Sequence, residues 1–365
     1  PYRRQRQMCI RDRIKGVTFV PLEVTTDDAS LIDGVYDYAV TDRYIYVLPV
    51  KEPRIVLFDR QGRFIRTLVK EGQGPGEFRG ILPCIQVDER NDRLFLFSNN
   101  RVWEYTLEGE FIGQSTHEYS VIYMRHIGKD RFAAISFPFQ PFNGGGFGLG
   151  LFSRKGDTIA IKNDFYSFLL PHEKSGFTTS IAPAYSDAQN SVLFKTGSND
   201  TVFCISADRI SAACVLDLKN SDAEVIRSLD VTDMSNLRIE KKDPKDIFVQ
   251  DMIEFPGHYY FRLLYNQGYY IASVDKKTGK TLVEKCVMPG SIYELADANL
   301  QHGMQGTRSY RNFPVWGRVI KDELVQVVTP YELNLYKSLR SITIPQELDL
   351  KGEEGNPVFV FYSLI

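Results

Sequence analysis

Five histidines, His117, His126, His172, His258 and His302, are the side chains best suited to proton transfer or metal ligation, and their spacing favours neither. No HxH or HExxH pair occurs, so a metal centre would have to be assembled from distant parts of the chain. No GxSxG elbow presents a nucleophile. A Ser-His-Asp assembly does not need neighbouring members, but nothing here singles out three of them. The run "DERNDR" (88–93) lacks the DxDxDG order and the distal glutamate of a calcium loop, and reads as a solvated hairpin turn. Five cysteines, Cys9, Cys84, Cys204, Cys214 and Cys286, form no CxxC pair. Cys204 and Cys214 flank a hairpin turn and could meet as a disulfide, with buried free thiols the stronger expectation. No cofactor and no metal ligand set is expected.

The glycine-rich stretch "KEGQGPGEFRG" (70–80) invites comparison with a phosphate cradle. Such a loop leads from a strand into a helix and carries GxxxxGK[ST] or GxGxxG, so that backbone N–H groups converge on the anion. Here Pro75 removes a donor, no Lys-Ser/Thr follows, and the next apolar segment has the pattern of a strand. A structural crossing is the reading instead. Gly72, Gly74 and Gly76 are expected to supply positive φ, Pro75 to fix one φ, Phe78 to anchor in a core, and Glu77 to accept backbone N–H bonds.

Ligand chemistry is better represented in three aromatic segments. "FPFQPFNGGGFG" (137–148) sets Phe142 and Phe147 among Pro and Gly, and "FPGHYYFR" (255–262) adds His258 and Tyr259 at a strand start. "QGTRSYRNFPVWGR" (305–318) brings Arg308 and Trp316. Aromatic faces beside polar groups suit sugar rings or peptide side chains, and arginine suits a carboxylate. Packing between neighbouring sheets is the competing role for the same rings.

What positions these segments is legible in the remaining pattern. The 365 residues are 43% hydrophobic and 13% aromatic, with 20 Tyr and 24 Phe, a composition that favours pleated, half-buried surfaces. The net charge of −2, from 44 basic and 46 acidic residues, leaves no field to gather nucleic acid. No stretch of 18 apolar residues could span a bilayer as a helix. "RIVLFDRQGRFIRTL", "RVWEYTLEGEFIGQS" and "GLGLFSRKGDTIAIK" share one grammar, strand, glycine turn, strand, with Gly62, Gly109 and Gly156 spaced 47 residues apart. Two further strand-like runs precede each hairpin. Four short strands in a period of about 40–50 residues is the grammar of a propeller blade.

Looser copies follow, giving six four-stranded blades in an all-β chain: a six-bladed β-propeller over residues 14–365. Polar segments at 220–255 and 331–355 read as insertions with short helices. The arginine-rich residues 1–13 match nothing that follows, and are expected to be a non-native or disordered leader. An open end would leave a strand edge unpaired, so "IKGVTFVPLEV" (14–24) is expected to close the last sheet beside "NPVFVFYSLI" (356–365).

The segments "VLFDRQGRFIRTLVKEGQGPGEF" (56–78) and "IQVDERNDRLFLFSNNRVWEYTLEGEFI" (85–112), with the terminal "GNPVFVFYSL", resemble the six-bladed β-propeller proteins abundant in gut Bacteroidetes. These are similar in turn to NHL-repeat and TolB-like propellers, which carry related G-x-G-x-G-x-F and D-x-x-G-x-F segments. The resemblance implies a secreted or lipid-anchored, extracytoplasmic protein and assigns no chemistry. The expectation is a monomeric binding or scaffold propeller that takes a glycan, peptide or protein partner on one face. The alternative is a lyase- or hydrolase-type enzyme with an axial, metal-dependent site.

Overall fold

The computed structural model describes residues 14–80, 84–98, 100–117, 121–136, 139–140, 148–162, 168–169, 184–188, 190–195, 199–218, 247–266, 268–285, 318–338 and 355–364. The leader at 1–13 lies outside them. After β1 (Ile14–Pro21) the chain repeats one unit, a four-stranded antiparallel sheet whose strands pair in chain order from the innermost outwards. The first is β2 (Val35–Val40), β3 (Tyr44–Pro49), β4 (Arg54–Asp59) and β5 (Phe64–Lys70). The second is β6 (Cys84–Asp88), β7 (Arg93–Ser98), β8 (Arg101–Tyr105) and β9 (Phe111–Thr116).

In the third, β10 (Val121–His126) and β11 (Arg131–Ser136) are followed by β13 (Leu149–Ser153) and β14 (Thr158–Lys162). Two short segments, β12 (Phe139–Gln140) and β15 (Phe168–Leu169), pair with each other in parallel. The fourth sheet is β16 (Ala184–Ala188), β17 (Ser191–Lys195), β18 (Thr201–Ser206) and β19 (Ile210–Val215), and the fifth β20 (Phe248–Phe255), β21 (His258–Tyr265), β22 (Gly268–Asp275) and β23 (Thr281–Lys285). In the sixth, β24 (Arg318–Ile320), β25 (Glu323–Val328) and β26 (Val358–Leu364) take β1 as their outermost strand. Six such sheets define a six-bladed β-propeller.

The chain divides into two compact units. One holds the first, second and sixth sheets, apart from residues 99–101 and 115–116; the other holds the third, fourth and fifth. In the first unit, the middle strands show why blades read as continuous apolar runs. Ile45, Val47, Val56 and Phe58 join Val325, Phe359 and Phe361 of the sixth sheet in one cluster, while Tyr46, Leu48, Ile55 and Leu57 join Ile85, Leu96 and Trp103 of the second in another. Period-2 side-chain alternation sends neighbouring residues to opposite faces, and both faces are covered. Each of these side chains contributes about 1.5–3 kcal/mol by leaving water.

The sixth sheet closes as expected. β1 runs antiparallel to β26, with Val17 opposite Tyr362 and Val20 opposite Phe359. Asn356, buried just before β26, fastens this junction: its Oδ1 accepts the Ile32 N–H at 2.7 Å, and its Nδ2 donates to the carbonyls of Glu23 (2.7 Å) and Ser30 (2.8 Å). Every polar atom of that amide is used, as a buried amide requires.

In the second unit, Leu193, Val202, Met252, Phe261 and Ala272 form the core between the fourth and fifth sheets. The reading of 220–255 as an insertion is corrected here. Its end, Phe248–Phe255, is β20, the innermost strand of the fifth sheet, and a bulge between Val249 and Asp251 breaks the alternation that would have revealed it. Residues 219–246 lie outside the described residues. Of the 331–355 segment, the first part belongs to helix α1 (Pro330–Ser338), capped by reciprocal bonds between Thr329 and Glu332. Cys204 stands opposite Ser211 and Cys214 opposite Val202. With a rise of ~3.3 Å per residue and ~5 Å between strands, their Cα atoms are roughly 8 Å apart, beyond disulfide reach. Both are free thiols.

The glycine hairpins repeat in detail. Gly62, Gly109 and Gly156 have φ of 81°, 89° and 97°, and each donates its N–H to the carbonyl of the residue three before it, Asp59, Thr106 or Ser153. A side-chain oxygen of that same residue accepts a second turn N–H. Each turn also presses on the preceding outer strand. A Cβ at Gly62 would collide with the Pro21 carbonyl, at Gly156 it would stand 2.7 Å from the Thr116 carbonyl, and at Gly109 3.2 Å from the Leu68 side chain. Gly279, at φ 68° in the β22–β23 turn, has open space around it.

Alanine substitution should therefore destabilise in the order Gly62, Gly156, Gly109, Gly279 in urea-unfolding midpoints. The last would lose about 1 kcal/mol from backbone strain alone, and the first about 3 kcal/mol or more. Asn356→Ala strands a buried N–H and two carbonyls, and should cost about 2–4 kcal/mol by the same measurement.

Candidate functional site

Antiparallel alternation sorts the connections of every blade between two ends. At one end of each blade lie the turn between the first and second strands and the turn between the third and fourth, all two to five residues long: 41–43, 60–63, 89–92, 106–110, 127–130, 154–157, 189–190, 207–209, 256–257, 276–280 and 321–322. At the other end lie the connection from second to third strand and the crossing to the next blade. The connections of twelve residues or more, 22–34, 71–83, 137–148, 163–183, 216–247, 286–317 and 329–357, all follow the second or the fourth strand of a blade. In the third blade two of these connections are joined to each other, since Phe139–Gln140 pairs with Phe168–Leu169.

Phe142 and Phe147 belong to the 137–148 connection, and Arg308 and Trp316 to the 286–317 connection; all four lie outside the described residues. His258 and Tyr259 are not brought to that end. They begin β21, directly after the short turn at 256–257. His258 Nε2 is 3.7 Å from Asp275 Oδ2, and its ring stacks on Tyr260 at 6.2 Å. The Tyr259 ring packs against the core between the fourth and fifth sheets, under the Lys276 ammonium at 4.5 Å, which itself pairs with Glu254. Burial, reinforced by the Glu254 charge, pushes the Tyr259 hydroxyl pKa up to about 12. This pair packs β21 against the β22–β23 hairpin.

The glycine-rich crossing at 71–80 cradles an anion of its own. Glu77 Oε2 accepts the Gly74 N–H at 2.8 Å, and the Glu77 N–H returns to the Gly74 carbonyl at 3.1 Å. The expectation of positive φ holds for Gly76 (79°) and is corrected for Gly72 and Gly74. Those two are glycine for room: a Cβ at Gly72 would occupy the Glu77 carboxylate, and one at Gly74 would come within 3.1 Å of it. Pro75 sits exposed at the tip, and Phe78 is wholly buried with Tyr46, Ile85 and Trp103. The place a phosphate would take is filled by the chain itself.

Sequence reasoning passed over the charged groups on the inner strands. Asp37, buried on β2 just past a bulge, accepts the Ile85 N–H of β6 at 2.7 Å with one oxygen and the Arg318 guanidinium of β24 at 2.6 Å with the other. Arg318 also donates to the Tyr38 carbonyl at 2.5 Å and lies over the Tyr38 ring. One carboxylate thus joins the innermost strands of three blades. Asp251 occupies the corresponding place after the bulge of β20, with Arg262 at 3.6 Å. The shared V-x-D spacing at 35–37 and 249–251 was the available signal. At the other end Lys321 joins three turns by pairing with Asp42 (2.6 Å) and Glu89 (2.8 Å). Glu89 lies in the "DERNDR" hairpin, where Asp88 caps the Asn91 N–H. Among the described residues no three His, Cys, Asp or Glu side chains gather as a metal site.

The fold and its connections define a class, a six-bladed propeller whose long connections follow the second or fourth strand of a blade. Within it, the chain belongs to the family described as a domain of unknown function (DUF4934), whose profile matches residues 1–363. A crystal structure of a protein of Bacteroides fragilis NCTC 9343 described as exported is similar over 96% of this chain and 95% of its own, at 16% identity and a TM-score of 0.68. More distant similarity extends to the WD40 domain of SCAP from fission yeast (14% identity, 75% and 59% coverage, TM-score 0.41) and that of Pan2 from Neurospora crassa (11%, 74% and 71%, 0.39). No functionally curated protein matches the chain.

Asp37→Ala removes the carboxylate that faces a partly buried guanidinium and leaves the buried Ile85 N–H unpaired, and should cost about 3 kcal/mol. Glu108→Ala, which breaks only the exposed pair with Arg66, should cost about 0.5 kcal/mol or less in the same unfolding assay.

Proposed function

We propose that this protein is a monomeric binding or scaffold propeller acting outside the cytoplasm, which holds a glycan, peptide or protein partner at the end that carries its long connections. The observation that carries this reading is that every connection of twelve residues or more follows the second or the fourth strand of its blade. Folding alone needs only two to five residues per turn, as the short turns show, and long connections on a rigid scaffold are where binding groups are placed. The connections at 137–148 and 286–317 are also the ones rich in Phe, Arg and Trp, residues suited to stacking on sugar rings and pairing with carboxylates. Similarity to a protein described as exported supports the location.

Thermal-shift screening of the full chain against glycan and peptide libraries should give a ligand that raises Tm. A ligand held on the 137–148 connection should be weakened about tenfold, the loss of about 1.4 kcal/mol, by Phe142→Ala and Phe147→Ala, and one held on the 286–317 connection by Arg308→Ala and Trp316→Ala, while His258→Ala leaves either unchanged. Binding indifferent to all four variants, or stoichiometric bound metal accompanied by turnover, would overturn the reading.

A further inference from the structure

The three glycine hairpins dock on Pro21, Leu68 and Thr116, and the next residue in each case is buried in the cluster that holds the hairpin's own sheet, with Val56 and Phe58, with Trp103 and Tyr105, and with Phe132 and Phe152. Those residues are Leu22, Val69 and His117, exposed by 4%, 6% and 2%. The third socket is no more polar than the others. The His117 ring lies edge-on to Phe132 at 6.2 Å and to Phe152 at 5.5 Å, and a Cβ on Gly156 would stand 3.7 Å from its Nδ1. Only its backbone is bonded, the N–H donating to the Asn100 carbonyl at 2.7 Å. Neither ring nitrogen has a hydrogen-bond partner among the described residues.

An aliphatic side chain serves this socket elsewhere in the chain without that cost. What histidine adds is a proton site. We propose that His117 makes this seam an acid-operated latch: protonation drives the imidazole from its apolar socket and releases the 153–157 turn, with the β13–β14 hairpin behind it, from the end of β9.

Burial alone holds the ring's pKa at about 4, against an ordinary value of 6.5. Because the folded value is the lower one, the docked state is fully favoured above pH 6.5 and loses ground as pH falls towards 4, by up to about 300-fold. Among the described residues, the charged and titratable groups on the surrounding elements are Arg101 and Glu104 on β8, Tyr123, Arg125 and His126 on β10, Asp130 and Arg131 at the start of β11, Arg154, Lys155 and Asp157 on the turn, and Lys162 on β14. The carboxylates among them are engaged elsewhere: Glu104 pairs with Arg93 at 2.7 Å, Asp130 with Arg154 at 3.8 Å, and Asp157 accepts from the Ser153 hydroxyl at 2.7 Å. His126 touches the same Phe132 ring at 5.4 Å and serves as the control.

Hydrogen exchange of the full chain at pH 7.0 and 5.0, corrected for intrinsic rates, tests this. Peptides covering 148–162 should lose protection about tenfold or more at pH 5.0 in the native protein and in His126→Gln, and keep it in His117→Leu. If the leucine variant does not fold, His117→Val, the residue type at position 69, replaces it. An equal acid response in the His117 variant, loss of that response in His126→Gln, or loss of protection elsewhere but not at 148–162, would overturn the latch.

Discussion

The structure depends on one pairing, that of β1 with β26. A sheet that ends in an open edge leaves a row of N–H and C=O groups without partners, and three strands from the C-terminal part of the chain would make a blade one strand short. The N-terminal strand supplies the fourth. Asn356 then holds the segment leading out of β1, so that the carbonyls of Glu23 and Ser30 and the N–H of Ile32 are satisfied from the other end of the sequence. The first blade in turn rests on this sheet, through Ile45, Val47 and Phe58 against Phe359 and Phe361.

A second constraint is the close approach of hairpin turns to the neighbouring outer strand. It explains why glycine stands at 62, 109 and 156, beyond what the turn geometry asks. At Gly62 the Pro21 carbonyl already occupies the space of a side chain, and the Glu23 N–H bonds to the Gly62 carbonyl at 2.8 Å. The turn is therefore a fastener between sheets as well as a reversal within one.

The blades were legible because their information is local. Each strand of the first three carries its own apolar run, and the turn glycines keep a fixed interval. The failures have equally physical causes. At β20 a bulge shifts the alternation in mid-strand, so the segment passes for a polar insertion. At Gly72 and Gly74 the need for glycine comes from the Glu77 carboxylate, which no rule of backbone conformation anticipates. The Asp37–Arg318 pair joins residues 281 positions apart, and only the folded sheets bring them together. His258 and Tyr259 share an aromatic composition with the other ligand candidates, yet the direction of β21 sends them to the opposite end from 137–148. Composition marks sticky side chains; strand polarity decides where they are displayed.

The closing pairing also imposes an order of events on synthesis. Of the strands in the ring, the ribosome delivers β1 first and β26 last, so β1 has no partner strand until the rest of the ring has been made. Contacts that span so much chain form late and slowly. Throughout that interval the nascent polypeptide presents an unclaimed edge and an unused socket for Asn356, the condition in which holding chaperones and proteases find their substrates.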